Sequence, residues 1–162
     1  MSETGPSPIT PLLPVELGPG KIKFAQGIKA GHWVFATGLM AQDFVHGIAP
    51  DVLAERASHA GLPKREKEAL RIFGNLDAVL RAAGTDRTNL VRTDQYYTTV
   101  KAVPAYQQVR REFLKGRIPP STSIAQQGLL LPGADINIQA LAAIPTKGFE
   151  VEHIRHAQLQ GR

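Results

Sequence analysis

The chain has 162 residues, of which 43% are hydrophobic and 20% are charged, a balance typical of one globular domain with its own core. It contains no cysteine, which excludes disulfides, thiolate metal sites and a cysteine nucleophile. The formal net charge of +5 is scattered along the chain, so a solvated basic surface explains it more simply than a nucleic-acid interface, and nucleic acid is not expected as a partner.

Residues 1–20 are rich in proline and glycine, and they predict an N-terminal arm without regular structure. They lack the basic and apolar regions of a signal peptide. No apolar run reaches the roughly 18 residues of a membrane helix. We therefore expect a soluble, cytoplasmic protein that does not enter a membrane.

The first regular elements form a hairpin. Residues 22–30 and 33–37 are short β-favouring runs on either side of a turn at Gly31, and the hairpin is predicted to end at Gly38. Residues 39–62 lack periodicity, which predicts an insertion with short elements of its own.

Two amphipathic helices and three further strands follow. Apolar residues recur at helical spacing between Lys64 and Ala83, and Gly84 is the natural stop. Residues 90–98 predict a strand, and Pro104 is well placed to begin a helix that ends at Leu114. The last two strands are predicted at residues 122–127 and 135–142.

This β-β-α-β-α-β-β order predicts an α+β fold with both long helices on one face of the sheet. The other face then needs a cover, which indicates an oligomer. In the last strand Ile136 and Ile138 point one way and Gln139 the other. We expect Ile136, Ile138 and residues 33–35 to be buried against neighbouring subunits.

Several local sequences resemble, in order and spacing, the Rid family, also called YjgF-like. They are Phe24-Ala25-Gln26-Gly27, Val34-Phe35-Ala36-Thr37-Gly38, Leu80-Arg81-Ala82-Ala83-Gly84, Asn89-Leu90-Val91-Arg92 and the paired strands at 119–124 and 136–142. The resemblance implies a chorismate-mutase-like fold in a homotrimer whose sheets form a central barrel, with ligand clefts between subunits. It assigns the Rid-like domain to residues 21–145. The tail at 146–162 is then either an added arm or the remnant of a second domain copy.

The same resemblance suggests a site, and the chain departs from it. Deaminating members hold the substrate carboxylate with an arginine where this chain has Ser121, and a glutamate that places water is replaced by Gln139. Arg92 and Arg110 are candidate cations near the expected cleft, and Arg110 is expected to point either to solvent or to the subunit interface. The candidate catalytic residues are Gln139, Ser121 and Ser123, and the candidate ligand-binding residues are Phe24, Thr37, Gly38, Gln107 and Thr122. Alternatively, the hydroxyls from 121 to 123 only follow a turn in a β-favouring stretch.

The resemblance therefore implies a variant Rid protein that hydrolyses an imine, enamine or related unsaturated metabolite, without the usual arginine. The alternative is a non-catalytic trimer that binds a small molecule, and RNA binding or cleavage is a third hypothesis. The histidine spacing does not fit a metal site, so neither a metal nor a cofactor is expected. Weak or no hydrolysis of 2-iminopropionate is expected, and ordinary enzymatic turnover would show that another cation has taken over the role of the missing arginine.

Overall fold

The computed structural model describes residues 9–17, 22–53, 62–150 and 152. Within them lie six strands and three α-helices. The strands are β1 (Ile9–Leu17), β2 (Ile22–Ala30), β3 (Trp33–Leu39), β4 (Leu90–Tyr97), β5 (Ser121–Ala125) and β6 (Ile136–Ala143). The helices are α1 (Pro50–Leu53), α2 (Lys64–Ala83) and α3 (Val103–Leu114). None of these helices is long and apolar enough to cross a membrane.

All six strands form one sheet in the order β1-β2-β3-β6-β4-β5. Neighbouring strands are antiparallel, except that β5 runs parallel to β4. The predicted hairpin is confirmed as β2 and β3, with Ala30 opposite Trp33. The mixed α+β class predicted from the order of elements is confirmed as well.

The prediction that residues 1–20 lack regular structure is wrong for Ile9–Leu17, which pairs with β2 along its length. Prolines at positions 11 and 14 have no N–H to donate, but an outer strand has one edge that needs no donors. A positive φ of 47° at Leu13 lets the strand keep Leu12 buried against Gly27. Burial of this leucine explains why a proline-rich segment joins the sheet.

Helix α2 lies across the sheet and α3 packs beside it. The predicted bounds of α2 are confirmed, and Gly84 ends it in the left-handed conformation at φ 81°. The two helices meet through stacked aromatic rings, with Phe73 of α2 at 5.5 Å from Tyr106 and 4.7 Å from Phe113. Of the predicted insertion, the described part contains α1 and an isolated bridge between Gln42 and Ile48.

The two faces of the sheet differ in what covers them. Ile136, Ile138 and Val34 are fully buried in the core that the helices cover. The expectation that they bury against neighbouring subunits is therefore wrong, because their own chain covers them. Side chains alternate along a strand, so the opposite, open face carries Trp33 and Phe35, which are 38% and 49% exposed.

The described part of the tail folds back onto the sheet. Thr146 and Phe149 form an isolated bridge, and the Phe149 ring lies 4.6 Å from His32 and 5.5 Å from Trp33. The division into an arm, a domain at 21–145 and a tail stays a prediction.

Candidate functional site

The predicted site residues of β5 and β6 lie on both faces of the sheet. On the helix-covered face, Arg110 Nη1 donates to Ser121 Oγ at 3.2 Å, and Ser123 Oγ donates to Gln95 Oε1 at 3.0 Å. On the open face, Arg92 donates to Thr122 Oγ1 at 3.4 Å. The residues that the sequence groups together are therefore divided by the sheet itself.

Gln139 lies on the open face, at the meeting point of two shallow depressions. One, of about 180 Å³, lies over β3, β4 and β6, and the other, of about 360 Å³, lies beside the loop that follows β5. The first is lined by Phe35, Ala36, Arg92, Asp94, Gln139, Ala140 and Leu141. The second is lined by Tyr96, Gln126, Gly128, Leu129, Leu130, Asn137 and Gln139. The walls combine aromatic rings with amide groups, as small-molecule sites do.

Arg92 and Asp94 form an ion pair at the first depression. Arg92 Nε donates to both carboxylate oxygens of Asp94, at 3.1 and 2.9 Å. This hydrogen bond lowers the pKa of Asp94 below its ordinary value, and the pair raises the pKa of Arg92. Asp94 is accordingly a weak base, since its carboxylate is already satisfied.

Sequence reasoning missed Asn137. Its amide packs so closely on Gly38 that a Cβ atom there would meet Asn137 Nδ2 at 2.9 Å. Asn137 Oδ1 is buried and accepts no hydrogen bond from the described residues. The alternation of β6 already placed Asn137 on the same face as Gln139, so that signal was present in the sequence. Thr37 and Gly38 stand at a break in the β3–β6 register between Ala36 and Leu39.

A second polar cluster lies on the helix-covered face, between α3 and the outer strand β5. Arg110 is only 7% exposed, and its Nη2 donates to Gln107 Oε1 at 2.5 Å. Gln107 and Ser121 thus lie on either side of one guanidinium. The sequence offers solvent or an interface as the surroundings of Arg110, and the structure instead places its side chain inside its own chain.

Buried tyrosines surround this guanidinium. Its Cζ lies 5.5 Å from the centre of the Tyr106 ring. Burial raises the pKa of Tyr97 to about 12 and raises the pKa of Tyr106 further, while the positive charge of Arg110 opposes both shifts. Both hydroxyls therefore stay protonated at neutral pH and can donate hydrogen bonds.

Phe24 lies far from both clusters. Its ring meets Phe44 at 5.6 Å, on a turn where Asp43 accepts hydrogen bonds from the N–H groups of Val45 and His46. These bonds lower the pKa of Asp43. Three strands separate β2 from β5, which at roughly 4.8 Å per strand spacing amounts to about 19 Å. One chain therefore does not bring Phe24 together with Ser121 and Ser123.

The described histidines have structural partners. His32 stacks on Phe149, and His46 Nδ1 lies 2.7 Å from Asp43 Oδ2. His59, His153 and His156 fall outside the described residues. In the part of the chain that is described, no three metal-ligating side chains gather.

The chain has relatives of known sequence. Residues 19–144 match the family model described as Endoribonuclease L-PSP. The chain is 26% identical over 120 residues to a 2-iminobutanoate/2-iminopropanoate deaminase of Rattus norvegicus, covering 74% of this chain and 78% of that protein.

Two solved structures share the fold. A probable translation initiation inhibitor from Rhodopseudomonas palustris has a TM-score of 0.66 at 24% identity, covering 86% of this chain and all of that one. A protein of unknown function of the conserved Rid protein family from Yersinia pestis has a TM-score of 0.60 at 24% identity, covering 79% and 90%. Because the family model spans most of its length, the chain belongs to the L-PSP family, which is the YjgF/Rid family.

Proposed function

We propose that the protein hydrolyses an imine, enamine or related unsaturated metabolite in clefts between the subunits of a homotrimer. The observation that carries this proposal is the family match over residues 19–144, together with a relative named as an imine deaminase.

The trimer is proposed on the geometry of the sheet. Phe24 and the β5 hydroxyls lie about 19 Å apart within one chain, so a cleft that uses both draws them from different subunits. The open face also carries Trp33, Phe35 and Ile124, which is 41% exposed. A homotrimer whose sheets form a central barrel covers this face. Light scattering is expected to give three times the 17.6 kDa chain mass, and a stable monomer would rule out the shared clefts.

The chemistry requires little of the protein. Water adds to the sp² carbon, a proton is transferred to nitrogen, and the C–N bond breaks to give a carbonyl compound and ammonia or an amine. Gln139 and Asn137 accept hydrogen bonds from water through their amide oxygens and so orient it, but neither takes up a proton. Protons then pass through water or the hydroxyl of Thr122, which lies on the same face of the sheet as Gln139. Orientation without a strong base is expected to give modest rates.

A specific observation supports a non-catalytic binding protein as the alternative. Among the described residues that line the two depressions beside Gln139, Asp94 is the one carboxylate. Because Arg92 already holds it, no free general base faces bound water there.

The test generates 2-iminobutanoate in situ with an amino-acid oxidase and measures how fast the imine disappears. A neutral imine without a carboxylate is run beside it. The wild type is expected to accelerate hydrolysis of at least one of them. Gln139→Glu supplies a base and is expected to raise the rate, since general bases contribute about 10²- to 10⁴-fold. Gln108→Glu, on the exposed side of α3, is the matched control. No acceleration of either imine by wild type or Gln139→Glu would favour the binding protein.

A further inference from the structure

Within the described residues, Arg110 is a buried cation without a counter-charge. It lies on the inner side of α3 and is only 7% exposed. Its two terminal nitrogens donate to the neutral groups of Gln107 and Ser121, and its Nε is buried with no hydrogen-bond partner in the described part of the chain. Among the described residues, no carboxylate forms an ion pair with it, whereas Arg65, Arg81 and Arg92 are all paired with aspartates.

Such an arrangement is energetically costly. Guanidinium does not lose its proton in proteins, so it cannot escape the penalty by becoming neutral. Buried charges in proteins are generally paired or fully hydrogen-bonded. The Tyr106 ring face offsets part of the cost, but it leaves the Nε–H unsatisfied. A bound anion would offset the remaining energetic cost of burying the charge.

The surroundings fit a small anion with one charge. The hydroxyls of Tyr97 and Tyr106 are buried beside this guanidinium, and neither forms a well-aligned hydrogen bond within the described chain. The cluster thus offers one cation and two neutral donors, which matches a monoanion better than a dianion such as phosphate. Access is provided by β5, an outer strand whose five residues are all exposed.

We propose that Arg110, with the Ser121 and tyrosine hydroxyls, forms a binding site for the carboxylate of a small metabolite. A planar guanidinium binds a carboxylate through two parallel hydrogen bonds, and Nε is free to make one of them. The anchor then stands on a helix, beside the strand position that Ser121 occupies. This inference goes beyond the proposed function, because the Arg110 site lies on the helix-covered face of the sheet and Gln139 lies on the open face. Binding at Arg110 and turnover are therefore measured separately.

The experiment titrates 2-oxobutanoate, a stable carboxylate probe, into the full-length protein by calorimetry, and follows its effect on the melting temperature. Arg110→Gln keeps a polar side chain and removes the charge. Arg111→Gln makes the same change at the next, exposed residue of α3. Wild type and Arg111→Gln are expected to bind the probe and melt at higher temperature in its presence. Arg110→Gln is expected to bind about 10- to 100-fold more weakly, as the loss of a charge-assisted contact implies.

The outcomes separate the alternatives. Equal binding by Arg110→Gln and wild type, or no binding by wild type, would overturn the proposal. Binding of inorganic phosphate but not 2-oxobutanoate would show that the ligand chemistry is wrong. If Arg110→Gln does not fold, Ser121→Ala at the exposed end of the site serves instead, and unchanged affinity in that variant counts against the site. Carboxylate binding without imine hydrolysis would refute the proposed function alone.

Discussion

Glu68 is a buried carboxylate that connects the longest helix to the strand that carries Gln139. Its Oε1 accepts hydrogen bonds from the backbone N–H groups of Asp135 and Ile136, at 2.8 and 2.9 Å. The residue is fully buried, and its Oε2 has no partner among the described residues. Two substitutions separate the hydrogen bonds from the charge. Glu68→Ala removes both, whereas Glu68→Gln keeps an oxygen that can accept the same two bonds.

The expected magnitude follows from these contacts. Each buried N–H that loses its acceptor costs roughly 1–3 kcal/mol, so the loss of two in Glu68→Ala is expected to lower the free energy of unfolding by about 2–6 kcal/mol. Glu68→Gln is expected to cost less than about 1 kcal/mol at neutral pH, because a neutral acceptor is weaker but carries no buried charge.

The pH dependence has a defined sign. Burial raises the pKa of Glu68, so the folded protein holds this proton more tightly than the unfolded chain does. The free energy of unfolding of wild type therefore falls as pH rises from the unfolded pKa of about 4.3 through the raised folded pKa. Glu68→Gln lacks this contribution, so the wild type loses stability relative to it over that interval. Urea unfolding of all three proteins across that interval is the assay. The reasoning fails if the difference stays level with pH, or if Glu68→Ala is as stable as Glu68→Gln.

Two other substitutions test the packing around the site. Ser123→Ala removes the donor to the fully buried Gln95 amide and is expected to lower the free energy of unfolding, measured with urea, by about 1–3 kcal/mol. A change near zero would show that Ser123 does not support the core. Gly27→Ala places a Cβ 2.7 Å from Val79 Cγ1 and is expected to destabilise the fold by about 1–3 kcal/mol, with partial recovery in Gly27→Ala/Val79→Ala by the same measurement. If the stability losses of Gly27→Ala and Val79→Ala simply add in the double variant, the new Cβ does not meet Val79.

Periodicity in the sequence predicts the fold well where one signal dominates. Helix α2 is predicted to the residue because its apolar spacing and Gly84 agree. Strand β1 is not predicted, because its prolines are breaker signals in isolation and are tolerated only at the sheet edge, a position that depends on tertiary structure. The alternation in β6 is predicted correctly, but which of its two faces the helices cover is not, since both faces of a strand look alike without the packing partner.

The site is harder to predict because it depends on register between strands. Asp94 of β4 stands opposite both Gln139 and Thr122, which puts Thr122 on the open face and turns Ser121 and Ser123 to the other. Nothing within β5 alone specifies that pairing. The burial of Arg110 is likewise not readable from α3, since only contact with β5 shows that its guanidinium meets Ser121.

Returning an arginine to position 121 gives a sharp test of whether strand and helix share one anion site. Ser121 Oγ lies 3.2 Å from Arg110 Nη1, so Ser121→Arg sets two guanidiniums side by side. Unit charges 4 Å apart repel by about 4 kcal/mol at an effective dielectric constant of 20, which is an upper bound for this pair. The exposure of β5 to solvent reduces the repulsion. Ser121→Arg is expected to melt below wild type and to recover when 2-oxobutanoate is added.

The double variant Arg110→Gln/Ser121→Arg carries one guanidinium, now on the strand. It is expected to regain most of the carboxylate affinity that Arg110→Gln lacks, without the loss of stability caused by the paired cations. Calorimetry and melting curves on the two single variants and the double variant complete a mutant cycle. If the double variant binds the carboxylate no better than Arg110→Gln, the two positions do not serve the same site, and Ser121 is only a neutral partner that satisfies a buried arginine.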